Sequence, residues 1–294
     1  MAIVRSTYHS RLAALSAQTR RLGDQMARGQ EVASSGMKVH RPSDAPGQMA
    51  LVHSVREARS DQDRFTENSV QATQLLAVAD QSLTGLTAVL LDARELAVQM
   101  SSENYGPDLR ISSAVEAAGM VERALSFANG NLAGRHVFAG EAYDGPAYDA
   151  TGLYLGNTDE PEVAVADNGQ TVLTGFDGSS LLQGTGDIIL AVQNLEAALA
   201  SGVAANVQAV LDEIDLAVDQ VSVARSVVGG EMLRAEDGEL MAINMGIALA
   251  SQESVLTEAD AVEAYTNLFE VQQAFEAALQ VTANARSSLL FSRL

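Results

Sequence analysis

Residues 65–100, which read FTENSVQATQLLAVADQSLTGLTAVLLDARELAVQM, decide the fold. Apolar and small side chains recur there at alternating spacings of four and three, and the predicted seam consists of Phe65, Ser69, Ala72, Leu76, Ala79, Leu83, Leu86, Leu90, Ala93, Ala97 and Met100. This heptad rhythm is typical of a helix that packs lengthwise along another helix. We predict one helix from about Gln48 to Ser102, roughly 80 Å long at 1.5 Å per residue.

Both ends of the chain carry the same rhythm. The amino-terminal seam precedes a break at Ser35-Gly36 and consists of Tyr8, Leu12, Leu15, Thr19, Leu22, Met26, Gly29 and Ala33. Asp44 is suited to cap the helix that follows. The carboxyl-terminal seam leads to the apolar tail 289–291 and consists of Tyr265, Leu268, Gln272, Phe275, Leu279 and Thr282. Two such apolar stripes are expected to find partners, since each buried Leu contributes roughly 1.5–3 kcal/mol.

The region between these helices has a different character. A third helix is predicted after the break at 104–107, with a seam from Ile111 to Leu132. Residues 134–186 are rich in Gly, Asp and Thr, and they predict a small β module: a strand at 135–140 and a hairpin turning at Asn168-Gly169. Helical pattern resumes near Asp187 and is expected to break at Gly229-Gly230.

The predicted fold is therefore mainly α with a small β insert, in which the amino- and carboxyl-terminal segments form a long antiparallel helical bundle or coiled coil. We divide the chain into terminal helical assembly arms (1–47 plus 255–294), a helical rod (48–133 plus 187–254) and an outward β-rich module (134–186). Contacts between subunits are predicted at seam and tail positions of the two arms, namely Tyr8, Leu12, Leu15, Leu22, Met26, Tyr265, Phe275, Leu279 and Leu290.

Composition and charge limit the possible functions. The net charge is −20, yet residues 1–64 hold 10 basic against 6 acidic residues. An acidic body disfavours nucleic acid and anionic lipid, and no membrane partner is expected. The start of the chain lacks the apolar region of a secretory signal peptide, and no run approaches the roughly 18 apolar residues of a membrane span.

The sequence also carries no recognisable catalytic or metal site. There is no Cys, and His9, His40, His53 and His136 are scattered. The acidic groups around 159–162 and 212–215 lack the spacing of a calcium-binding loop. We therefore predict no catalytic residue, no cofactor and no bound metal, and a structural protein rather than an enzyme.

Specific residues resemble those of bacterial flagellins and their hook-associated relatives. These are the stretch VHRPSDAP at 39–46 leading into a long helix, the segment GRHVFAG at 134–140, and the terminal helix from Glu258 to Leu290. The family's usual second Asp is replaced by Ala45. The segment at 134–140 resembles that of the junction proteins that join hook to filament.

This resemblance implies a structural subunit joining hook to filament, exported without a cleaved signal peptide and located outside the cell on the flagellum. It implies copies of the chain itself (in a ring or helical array), another hook-associated protein, flagellin and an export chaperone as partners. Two alternatives stay open: a flagellin that builds the filament, and, outside this class, a cytoplasmic coiled-coil adaptor.

Overall fold

The computed structural model describes residues 2–39, 41 and 45–291, with residues 2–9, 11, 12 and 285–291 described by their backbone alone. Asp44 and the side chains of Tyr8, Leu12 and Leu290 lie outside this description, so the predictions made for them stay predictions. The chain forms two compact units. The first consists of residues 1–59 and 247–294, and the second of residues 60–246.

Long helices dominate the element order. They are α1 (Ala2–Ser35), α2 (Pro46–Met100), α3 (Pro107–Ala128), the short α4 (Gly178–Gln183), α5 (Ile188–Ala200), α6 (Ala204–Thr257) and α7 (Ala261–Phe291). Strands β1 (Asn131–Leu132) and β2 (Arg135–His136) form one antiparallel pair, and β3 (Glu162–Ala164) and β4 (Thr171–Leu173) form another. The predicted class, helical with a small β insert, is confirmed.

The second unit has a continuous, fully buried core. Within it α2 and α6 run antiparallel, as the ion pairs from Arg94 to Asp215 at 2.6 Å and from Arg225 to Asp80 at 3.2 Å show. Every position of the predicted α2 seam from Ser69 to Met100 is buried, and Phe65 is half-buried. Most of this seam faces other helices, because an i, i+3, i+4, i+7 pattern places its members on one side of α2.

The hairpin of β3 and β4 is held between α2 and α6. Its turn is at Asn168-Gly169, where Gly169 has φ +82°, in agreement with the predicted hairpin. Asn68 of α2 donates to the carbonyl of Ala164 at 2.8 Å, and the backbone N–H of Leu173 donates to Glu231 of α6 at 3.2 Å. The β insert is thus tied to the helices by side-chain hydrogen bonds to strand backbone.

Several predicted boundaries are wrong. Helix α3 ends at Ala128 rather than near Leu132, since the turn at Asn129-Gly130 leads into β1. Of the predicted α3 seam, Val121 and Ala128 are buried but Ile111 is exposed. The buried stripe also contains Arg110, Ala117 and Ala124, which lie outside that seam. The predicted strand at 135–140 is a strand only at Arg135–His136.

The predicted break at Gly229-Gly230 is also wrong, because α6 passes through both residues. Helix α6 ends at Thr257, and Asp260 caps α7 by accepting hydrogen bonds from the backbone N–H groups of Val262 and Glu263 at 2.8 and 3.1 Å. Next to Gly229 and Gly230, the side chains of Val228, Glu231 and Ala235 are buried. Their packing outweighs the destabilisation of the helix by glycine, about 1 kcal/mol per residue.

One window of 18 residues within α2 is apolar enough to cross a membrane by length and composition alone, although the sequence pattern predicted no such run. In the second unit α2 contributes Leu76, Leu83, Leu86 and Leu90 to the buried core. Burial accounts for part of the apolar composition of the window, of which 44% is buried.

Candidate assembly interface

The first unit is built around an antiparallel pair of helices, α1 and α7. The hydroxyl groups of Thr19 and Thr282 lie 3.4 Å apart, and a Cβ placed on Gly29 would lie 3.3 Å from Leu268. Positions along α1 therefore meet α7 in reverse order. The predicted antiparallel coiled coil of the two terminal segments is confirmed.

The α1–α7 pair buries its seam only in part. On α1 the predicted positions Leu15, Leu22 and Met26 are half-buried. On α7 the half-buried stripe is spaced by four and three, and consists of Ala264, Leu268, Val271, Phe275, Ala278 and Thr282. Because one partner covers only half of this stripe, apolar area remains in contact with water. A further helix that packs there would be stabilised by removing that area from water.

The outer side of α7 carries a second apolar stripe. Val262, Tyr265 and Phe269 are spaced by three and four residues and are 77%, 59% and 61% exposed. Leu279, further along α7, is also exposed. Tyr265 and Leu279 are among the predicted subunit contacts, whereas Val262 and Phe269 are not, although their spacing from Tyr265 is the same heptad signal shifted by one position.

Two backbone hydrogen bonds and two ion pairs connect the amino- and carboxyl-terminal segments of the first unit beyond the end of α1. The backbone N–H of Lys38 donates to the carbonyl of Thr257 at 2.8 Å, and that of Ala259 donates to Gly36 at 2.8 Å. Glu253 accepts hydrogen bonds from Arg56 at 2.6 Å and from Arg59 at 3.3 Å. The hydrogen bond from Arg56 is the main cause that lowers the pKa of the Glu253 carboxyl from its usual value.

Polar groups in the β module are engaged in holding the module itself. The Asn129 side chain donates to the carbonyl of Tyr148 at 2.9 Å and accepts from its N–H at 2.8 Å. The Tyr148 hydroxyl donates to the carbonyl of Gly178 at 2.7 Å, and burial raises the pKa of Tyr148. Burial also raises the pKa of Tyr154, to about 12. Both phenols are thus neutral hydrogen-bonding groups at ordinary pH.

Acidic groups on this part of the surface do not combine into a metal centre among the described residues. An open cleft is rimmed by Glu141, Glu160 and Glu162, but Arg135 lies in it, 4.4 Å from the centre of the Tyr143 ring. In the other acidic group, Asp215 accepts from Arg94.

Comparison with known proteins shows what the chain is similar to. Residues 6–142 match the family model of the bacterial flagellin N-terminal helical region. This stretch covers most of α1, all of α2 and α3, and the entry into the β module, so the amino-terminal part of the chain is similar to the helical region of flagellins. The resemblance predicted from the sequence is confirmed by this match.

The chain is also similar to flagellar hook-associated protein 3 of Salmonella typhimurium, with 27% identity over 169 residues, 56% of this chain and 50% of that protein. It thus spans about half the length of this relative. Flagellin of Listeria monocytogenes is 21% identical over 249 residues, 82% of this chain and 81% of that protein.

A solved structure shares the fold. That of a putative flagellar hook-associated protein from Vibrio parahaemolyticus has a TM-score of 0.65 and 18% identity, over 73% of this chain and 99% of that one.

Proposed function

We propose that this chain is a structural subunit of the bacterial flagellum that joins hook to filament and assembles through its paired terminal helices. Support comes first from the second apolar stripe of α7, where Val262, Tyr265 and Phe269 are exposed in the single chain. Large apolar side chains in one stripe on a helix are typical of a surface that another helix covers. The similarity to hook-associated protein 3 supports the junction role.

Several finer statements belong to this proposal. The chain acts without catalysis, leaves the cell without a cleaved signal peptide and is located on the flagellum outside the cell. Its partners are further copies of itself, another hook-associated protein, flagellin and an export chaperone. The contacts between subunits include the predicted residues, of which Leu15, Leu22, Met26 and Phe275 also form the α1–α7 seam.

Two charge substitutions on α7 test assembly without unfolding the chain. Phe269→Glu and Leu279→Glu place a carboxylate on exposed positions, so the α1–α7 pair stays intact while assembly is lost. Ala274→Glu is the matched control, since Ala274 is exposed on α7 but, at 100° per residue, lies about 140° away from both Phe269 and Leu279. Surface labelling of cells, together with circular dichroism of the purified variants, measures both effects. Normal incorporation of Phe269→Glu would contradict the proposal.

A flagellin is the second candidate, favoured by the match over 82% of this chain to the Listeria protein. Deletion of the gene separates the two functions. Loss of a junction subunit releases filament protein into the medium, whereas loss of a flagellin removes the filament material itself. An adaptor inside the cell, the third alternative, would be found in the soluble fraction and would be inaccessible to surface labelling.

A further inference from the structure

Charge is divided sharply between the two compact units. The second unit, residues 60–246, holds 28 acidic and 7 basic residues, a net charge of −21. The first unit holds 10 acidic and 11 basic residues, a net charge of +1. The net negative charge of the chain therefore comes entirely from the unit that contains the buried core and the β module.

The second unit has no spare cation to offset this charge. Its arginines are all engaged within the unit: Arg64 with Asp61, Arg94 with Asp215, Arg123 with Asp92, Arg225 with Asp80, Arg234 with Glu231, Arg110 with backbone carbonyl groups and Arg135 with Thr174. Carboxylates that remain unpaired in this unit can thus be neutralised only by cations from elsewhere.

Such carboxylates coincide with apolar side chains on one face of α6. Leu233 and Leu240 are 64% and 60% exposed, and the exposed Glu236 and Asp237 lie between them on the same face. Neither carboxylate forms an ion pair with any described residue. The opposite face of this part of α6 is buried. We name the exposed set Leu233, Glu236, Asp237, Leu240 and Met241 the acidic face.

A complementary surface lies on α1. Arg20, Arg21 and Arg28 are exposed on the side of α1 that points away from α7, next to the small exposed residue Ala17. No carboxylate among the described side chains forms an ion pair with these three guanidinium groups. We name Ala17, Arg20, Arg21, Asp24 and Arg28 the basic face; its three guanidinium groups and the one exposed carboxylate, Asp24, give it a net charge of +2. An Arg stem can cover an exposed Leu while its guanidinium group reaches a carboxylate.

We infer that the basic face of one copy of the chain docks on the acidic face of the next copy. The contact joins different surfaces of the two copies, so it is heterologous and propagates from copy to copy into a ring or a helical array. This contact rests on the proposed self-assembly, and the two faces would form some of the contacts between copies. Charge complementarity selects a second copy as the occupant, and it also makes the contact sensitive to salt.

Crosslinking on cells tests this contact. The chain has no Cys, so Asp24→Cys within the basic face and Met241→Cys in the acidic face introduce a defined pair. A short thiol-to-thiol crosslinker is expected to give a ladder of linked copies with this pair. The control pair, Asp24→Cys with Glu116→Cys on the exposed side of α3, is expected to give no ladder.

Charge-reversal variants then test whether charge complementarity stabilises the contact. Reversal of the three arginines (Arg20→Glu, Arg21→Glu, Arg28→Glu) or of the two carboxylates (Glu236→Lys, Asp237→Lys) is expected to reduce the ladder about tenfold or more, as for a loss of one decade in affinity. Both reversals together in one chain are expected to restore it. Glu116→Lys with Glu122→Lys changes the charge as much as the second reversal and is expected to leave the ladder unchanged.

The outcomes separate the two proposals. Surface-located protein without a ladder, or a ladder that charge reversal does not reduce, would overturn the contact but leave the proposed function in place. Protein that never reaches the surface would overturn the proposed function. In that case the same pair is crosslinked in the purified chain at low salt, where absence of a ladder overturns the contact as well.

Discussion

Arg110 connects two separate turns of the chain in the second unit, one at the end of α2 and one between α5 and α6. Its buried guanidinium group donates to the carbonyl groups of Met100 at 2.8 Å, Ser102 at 2.8 Å and Gly202 at 3.2 Å. Arg110→Met would leave the carbonyl groups of Met100 and Gly202 without this donor, whereas the carbonyl of Ser102 still accepts from the backbone N–H of Tyr105 at 3.3 Å. We expect the substitution to lower the free energy of unfolding by about 3 kcal/mol. Denaturant unfolding measures the change. Arg123→Met, which removes an exposed ion pair, should change stability by no more than about 1 kcal/mol. Equal effects of the two substitutions would contradict this role.

Glu253 should make the first unit sensitive to acid. Arg56 donates to Glu253 and lowers its pKa in the folded chain below the value of about 4.3 in an unfolded one. Its contribution to stability is therefore present above about pH 5 and is lost as the pH falls through the folded pKa. We expect the difference in unfolding free energy between the native chain and Glu253→Gln to shrink on acidification. Arg56→Met should show the same trend, and a difference that grows in acid would disprove it.

At the scale of whole elements, α6 offers a direct comparison of glycines. A Cβ added to Gly229 or Gly230 meets no atom within 4 Å, and both residues lie inside the helix. Gly229→Ala and Gly230→Ala should each raise the free energy of unfolding by about 0.5–1 kcal/mol, because Ala loses less backbone entropy in a helix. Gly169→Ala is the opposite control, since φ at Gly169 is +82° and this substitution should destabilise the hairpin. Thermal unfolding distinguishes the signs. Destabilisation by Gly229→Ala would contradict this prediction and would mean that the folded chain requires glycine at this position.

The same elements show which parts of the fold a sequence can predict. The α2 seam was predictable because its burial repeats with the helical period over many turns. The strand at 135–140 was not, because strand β2 is two residues long and the backbone N–H of His136 bonds to the carbonyl of Tyr143 in a loop. On α7 two heptad stripes lie one position apart, at Ala264 and Tyr265, and periodicity alone does not say which of them faces α1.

At the scale of the whole molecule, the two compact units differ in the way their side chains are buried. In the second unit, α2, α3, α5 and α6 contribute many side chains with no exposed area, such as Leu83, Ala124 and Leu195. In the first unit, the described side chains of α1 and α7 are at most half-buried. The predicted division into arms, rod and module is finer than this two-unit division and stays a prediction.

This difference predicts unequal stability within one chain. Helices that bury few apolar side chains open locally at a smaller free energy than helices in a packed core. We therefore expect amide hydrogens at 13–35 and 261–284 to exchange much faster in the isolated chain than those at 72–100. Hydrogen exchange read by mass spectrometry measures each segment. Assembly with further copies should slow exchange in α7 most, because it covers Val262, Tyr265 and Phe269, whereas exchange at 72–100 should stay unchanged. Strong protection of α1 and α7 in the monomer would mean that the pair needs no further partner, and it would remove the physical reason for assembly through these helices.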